Sequence, residues 1–152
     1  MFNHLYIPLL ITFPETFLIV LLGLSMSKNK NISIVLVLCI SFIQSIFVGT
    51  LLMLELSSEI NTILQIFLIC ILTTLILNIP MHKAVVPVLM GCLIVGGLQS
   101  VIFPILSNVL NIDILQLKEN IFYSIKFYYP VFIITILLFI ILKKKQYHLY
   151  DI

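Results

Sequence analysis

Four side chains able to bind a charged or hydrogen-bonding group lie inside long apolar runs: Glu15, Gln44, Gln99 and Lys126. A carboxylate can hold a cation or accept from an amide, a glutamine both donates and accepts, and a lysine can neutralise an anion. Glu15 follows Pro14 in "LITFPETFLIV", residues 10–20. A charge at the centre of a bilayer costs about 2.5–3.5 kcal/mol on insertion scales, so such groups face the interior of a helix bundle and find partners. Two readings follow for Glu15. It acts as glue, protonated and hydrogen-bonded to Gln44 or Gln99, or it lies in a polar pocket open to the outer side. Lys126 either reaches toward Glu15 on its long stem or snorkels to the outer headgroups. Pro14 removes a backbone donor and favours a kink, leaving a carbonyl that Thr12 or water could serve.

Other chemistry finds little support in the spacing. Cys39, Cys70 and Cys92 stand singly in apolar segments, in odd number and without a CxxC pair, and are expected to be buried thiols behaving as small apolar side chains. His4, His82 and His148 have no metal-ligand spacing, so no metal and no cofactor is expected. A cysteine peptidase would need a thiolate beside a histidine, and His82 sits at a membrane boundary away from the thiols. No phosphate loop, nucleophile elbow or paired-carboxylate pattern is present, and the chain reads as non-enzymatic.

The elements that must position these residues follow from composition. Of 152 residues, 62% are hydrophobic and only 9% charged, where soluble domains carry about 25% charged residues. The mean hydropathy is +1.27. The chain is expected to be a single all-α domain of residues 1–152, a polytopic membrane protein surrounded by lipid. A net charge of +2 is too small to imply a nucleic-acid partner, and none is expected. Arg and Trp are absent while Ile, Leu, Lys and Asn abound, as in the codon bias of an AT-rich bacterial genome.

Five runs reach the ~20 residues a membrane span requires: about 5–26, 32–54, 60–79, 84–106 and 121–142. The first lacks the basic n-region and small-residue cleavage site of a signal peptide. Short polar breaks at 27–31, 55–59 and 80–83 make sequential spans antiparallel neighbours. Lys28, Lys30, Lys83, Lys143, Lys144 and Lys145 fall on one side of this layout, and Glu55, Glu59, Asp113, Glu119 and Lys118 on the other. The positive-inside rule then puts the N-terminus outside and the C-terminus in the cytoplasm.

Residues 108–119 alternate polar and apolar and suit either a short amphipathic helix on the outer surface or a solvated connector. Tyr123, Tyr128, Tyr129, Tyr147 and Tyr150 suit interfacial belts. Gly91, Gly96 and Gly97 would let a neighbouring helix approach closely, and Pro87, Pro104 and Pro130 would allow breaks in the fourth and fifth spans.

The stretch "PETFLIVLLGLSMS", followed by a basic turn and a second span, resembles the opening of the multi-span membrane domain of bacterial sensor histidine kinases of the accessory-gene-regulator quorum-sensing type and their sporulation relatives. That resemblance implies a sensor domain in which a Pro-Glu pair opens the first span and a basic stretch leads toward a cytoplasmic kinase. Here "QYHLYDI" follows Lys145, with no phosphoacceptor-histidine helix and no ATP-binding segment in the sequence. The implied role is therefore signal reception with a separate partner, a sensor kinase or another membrane or cytoplasmic signalling protein, and not phosphotransfer. A small transport component, such as a substrate-binding membrane subunit, is the competing expectation, and a structural or assembly protein is the third.

Overall fold

In a computed structural model, residues 8–27, 33–54, 57–110 and 121–145 are described. They form a π-helical turn, Pro8–Thr12, running directly into α1 (Phe13–Ser25), then α2 (Ile34–Leu52), α3 (Ser58–Leu77), α4 (Met81–Leu110) and α5 (Ile121–Lys145). Helices are what this sequence allows, because a backbone in hydrocarbon must satisfy its hydrogen bonds within the segment. Counting the π turn with α1, all five helices are long and apolar enough to cross a membrane. The chain is a five-span helical bundle, a multi-pass membrane protein in contact with the lipid bilayer.

The fourth helix departs most from the sequence reading, at both of its ends, while the other boundaries shift by at most three residues. The fourth helix is 30 residues, about 45 Å, against the ~23 residues expected, and it absorbs residues 81–83 and 107–110. Its start is set by the hairpin before it. Asn78 caps α3 at φ 53°, a left-handed conformation that asparagine tolerates, and the Ile79 N–H returns to the Thr74 carbonyl at 3.2 Å. The Pro80 carbonyl then accepts from the N–H groups of Lys83 and Ala84 at 2.9 and 3.1 Å, so the helix begins at once and carries His82 and Lys83 on its first turn. Residues 108–110 belong to this helix, and the rest of the expected surface helix, 111–119, lies outside the described residues, as do Tyr147 and Tyr150.

Pro87, Pro104 and Pro130 do not break their helices, contrary to expectation. In a bilayer no water competes for the freed carbonyl, and packing holds the helix through the proline. Pro14 behaves differently. It sits in the first turn of α1, where a missing N–H costs least. The mismatch with the preceding residues is absorbed by the π turn, whose wider register offers each carbonyl a donor five residues on.

The span from Pro8 to Ser25 is the centre of the bundle. More than half of it, 56%, is buried, against 17% to 22% for the third, fourth and fifth spans. It packs on α2, α4 and α5, while α3 closes the other side against α2 and α4. One core cluster joins Val20, Leu21 and Leu24 to Val37 and Ile40 of α2, Ile69, Cys70 and Leu72 of α3 and Val88 of α4. A second joins Ile19 and Leu22 to Val95 of α4 and Val131 of α5. Leu75, Leu93 and Phe122 are among the large apolar side chains left on the outside, as a lipid-facing surface requires.

The approach of α1 to α4 is backbone to backbone. A Cβ on Gly23 would stand 2.6 Å from the carbonyl carbon of Pro87, and one on Gly91 2.8 Å from that of Ile19. The pairing 23 with 87 and 19 with 91 runs in opposite senses, so the two helices are antiparallel. Of the three glycines expected to serve packing, Gly91 does. Gly96 and Gly97 are exposed with open space around them.

Candidate functional site

The α1–α4 crossing dictates what meets above it. One turn back along α1 from Ile19 is Glu15, and two turns along α4 from Gly91 is Gln99. There Gln99 Nε2 donates a hydrogen bond to Glu15 Oε1. Glu15 forms no ion pair among the described residues, and its second carboxylate oxygen has no hydrogen-bond partner among them. Although it rides on the central helix, Glu15 is only partly buried, as is Gln99. The carboxylate is therefore anchored to α4 through one of its oxygens.

An aromatic wall adjoins the pair. Phe103 lies one turn beyond Gln99 on α4 and packs edge-on against two residues of α5, Phe127 at 5.8 Å and Tyr128 at 5.1 Å between centroids. Phe132, one turn along α5, lies 6.0 Å from Tyr128. Tyr128 and Cys92 both lie within electrostatic reach of Glu15. The site thus draws on three helices, with the carboxylate from α1, amide and phenyl from α4, and phenol from α5.

The other two sequence candidates are elsewhere. Gln44 is fully buried on α2 and donates through Nε2 to the backbone carbonyl of Gln65 on α3 at 3.2 Å. Gln65 in turn donates to Asn61 Oδ1 one turn back at 3.2 Å. This amide ties α2 to α3, and its Oε1 has no partner among the described residues. Lys126 is exposed on α5 and is not paired with Glu15. A long stem of this kind lets the ammonium sit beside headgroups or water.

Several other hydroxyls are satisfied locally, whereas the buried Oγ1 atoms of Thr73 and Thr74 have no hydrogen-bond partner among the described residues. Ser25, Ser41, Ser45, Thr50, Ser100 and Thr135 each donate to a carbonyl three or four residues back at 2.7–2.8 Å. Such back-bonding satisfies a hydroxyl in hydrocarbon without building a site. Cys70 is buried in the core and Cys92 half-buried beside it, as small apolar groups, whereas Cys39 is exposed on the outer face of α2, contrary to expectation. Among the described residues no group of three His, Cys, Asp or Glu side chains could hold a metal ion.

Tyr128, Phe103 and Gly23 are members of this arrangement that the sequence did not single out. Tyr128 was indistinguishable by position from Tyr129, yet Tyr129 is 62% exposed while Tyr128 turns inward. The available signal was the i,i+4 spacing of Gln99 with Phe103 and of Tyr128 with Phe132, which places each pair on one helical face.

What the arrangement offers chemically is a hydrogen-bonding acceptor in a low-dielectric setting, with no nucleophile–base pair beside it among the described residues. No protein-family model, curated protein or solved structure matches the chain.

Proposed function

We propose that this chain is a non-enzymatic membrane sensor or regulatory module that takes up a small ligand from the outer side at Glu15 and reports occupancy to a separate signalling partner. The observation that carries the reading is the placement of Glu15. It is the only acidic residue in the interior of any span, it sits on the helix that packs against three others, and Gln99 holds one of its oxygens. A ligand engaging the other oxygen would act on α1 and α4 together, and any shift of α1 is passed to α2 and α5. The outside N-terminus and cytoplasmic C-terminus are supported by the lysine distribution. The resemblance of "PETFLIVLLGLSMS" to quorum-sensing kinase membrane domains supports the same assignment, with the partner supplying the output.

The π turn beside Glu15 favours a second reading, a small transport component, because irregular helices around midplane polar groups are the way transporters build substrate sites. One experiment separates the readings. Glu15→Gln is placed in the chromosomal copy and compared with wild type and a deletion strain for membrane abundance, transcript profile and solute uptake. The sensor reading expects normal abundance with the deletion's transcript changes. Uptake loss without transcript change identifies transport, and a variant indistinguishable from wild type while the deletion is not leaves Glu15 as glue and defeats the proposal.

A further inference from the structure

We propose that the lysine-bearing end of α4 and α5 binds an anionic phospholipid, its phosphate held by Lys83, Lys143 and Lys144 and its acyl chains laid along the exposed face of α5. All three lysines are exposed, as is His82 beside Lys83. Lys83 lies in the first turn of α4, and Lys143 and Lys144 in the last turn of α5. These turns belong to one end of the bundle, because Val85, just after Lys83, and Phe139, one turn before Lys143, pack against the same core cluster. Among the described residues no carboxylate shares this end. Glu15 is mid-span on α1, and Glu59 opens α3 at the opposite end. The site shares no residue with the Glu15 pair and stands whether or not the sensor reading does.

The surface running away from these charges sets the class of ligand. Ile133, Leu137, Ile140 and Ile141 are large, apolar and exposed, and counted back from Lys144 at helical spacing they form one column on its face. On α4, Val86, Leu89 and Leu93, also exposed, continue the face of His82 in the same way. A column of hydrocarbon ending in a cation is the complement of an acyl chain ending in a phosphate. Lys143 is held to this geometry. Its ammonium lies 5.8 Å from the centre of the Phe139 ring, which keeps the charge beside the helix at the depth of a lipid phosphate. A nucleic acid or an acidic protein segment would use the charges and leave the apolar column idle, and a zwitterionic lipid would use the column and bring no net charge. Each lysine close to an anionic membrane surface favours association about fivefold.

Native mass spectrometry of the full chain in a non-ionic detergent tests the assignment, with dioleoyl phosphatidylglycerol and dioleoyl phosphatidylcholine titrated in parallel. The expected result is an apparent Kd about tenfold or more lower for phosphatidylglycerol. Replacing Lys83, Lys143 and Lys144 together by Gln is expected to bring that preference below about threefold. Phosphatidylcholine should still bind that variant as it binds wild type, an outcome that misfolding would not produce. The same three positions changed to Arg, and Lys126→Gln near the opposite end, should keep the wild-type preference. Glycerol phosphate and an oligoglutamate peptide, which lack acyl chains, should not displace the lipid at equal concentration. Equal affinity of wild type for the two lipids, a preference that survives the triple Gln variant, or an equal loss in Lys126→Gln would each overturn the proposal. Displacement by glycerol phosphate or by the peptide would overturn it too, assigning the lysines to a free phosphate or to an acidic protein segment.

Discussion

Gly91 lies against the backbone of Ile19, so close that no side chain fits between α4 and α1 at that level. Gly23 makes the reciprocal contact with Pro87. Since the obstructing atoms are backbone in both cases, neither contact can yield by a rotamer change. Gly91→Ala and Gly23→Ala are each expected to destabilise the bundle by about 1–3 kcal/mol through overpacking. Gly96→Ala and Gly97→Ala, with open space around them, should be neutral or gain up to about 1 kcal/mol from helix propensity. Thermal unfolding in a mild detergent distinguishes the two pairs, and equal losses at all four positions would refute the crossing.

Breaking the Glu15–Gln99 hydrogen bond should cost more from one side than from the other. Gln99→Leu strands a carboxylate, and leaving a buried polar group without its partner costs about 1–3 kcal/mol or more. Glu15→Gln keeps size and hydrogen-bonding capacity, so its loss should stay below about 1 kcal/mol. Steric-trapping or denaturant titrations of both variants would show the asymmetry. A larger loss for Glu15→Gln would contradict it.

Gln44 offers the opposite case. It contributes one interhelical hydrogen bond, to Gln65, and such bonds average about 0.6 kcal/mol in membranes. Its Oε1 is buried without a partner among the described residues, at a cost of about 1–3 kcal/mol. The second term exceeds the first. Gln44→Leu should therefore be neutral or stabilising by about 1 kcal/mol, and a loss above 2 kcal/mol would mean that Oε1 has a partner such as a structural water.

Orientation can be read by thiol labelling in a background where Cys39, Cys70 and Cys92 are replaced by alanine. Ser57→Cys, between α2 and α3, should react with a membrane-impermeant maleimide added outside intact cells. Asn29→Cys should react only after the cells are opened. The reverse pattern would invert the assignment.

Fold class could be read from the sequence because hydrocarbon leaves a chain of this composition a single solution, the helix, and twenty-residue apolar runs mark where each begins. The helix ends were less legible. Met81–Leu110 outgrew its apolar run because the Pro80 carbonyl, unseen in the pattern, starts the helix immediately after the turn. Among the polar residues, depth could be counted but azimuth could not. Glu15, Gln44, Gln99 and Lys126 all lie in the middle or outer half, yet only Glu15 and Gln99 meet, since which faces oppose one another depends on the α1–α4 contact. That contact rests on Gly23, which sits in an unremarkable "LLGLS", and on only one of three candidate glycines in α4. With α1 hydrophobic on every side, no apolar stripe in the sequence shows which face is turned to α4.

The pairing of residues 84 positions apart in the chain has a consequence for biosynthesis. α1 leaves the ribosome well before its partner, because α4 must be made before Gln99 exists. At roughly 5–20 residues per second, Glu15 waits about 4–17 seconds for its partner. During that interval the helix has to enter lipid with the acid unaccompanied. An acidic residue at mid-helix opposes insertion by about 2.5–3.5 kcal/mol, while each Leu, Ile, Phe or Val contributes about −0.3 to −0.6 kcal/mol. The eleven such residues between Pro8 and Ser25 together supply roughly −3 to −7 kcal/mol on that scale. Insertion of α1 alone is thus close to balanced, and its commitment to the membrane depends on the helices that follow, or on an insertase that shelters it until they arrive.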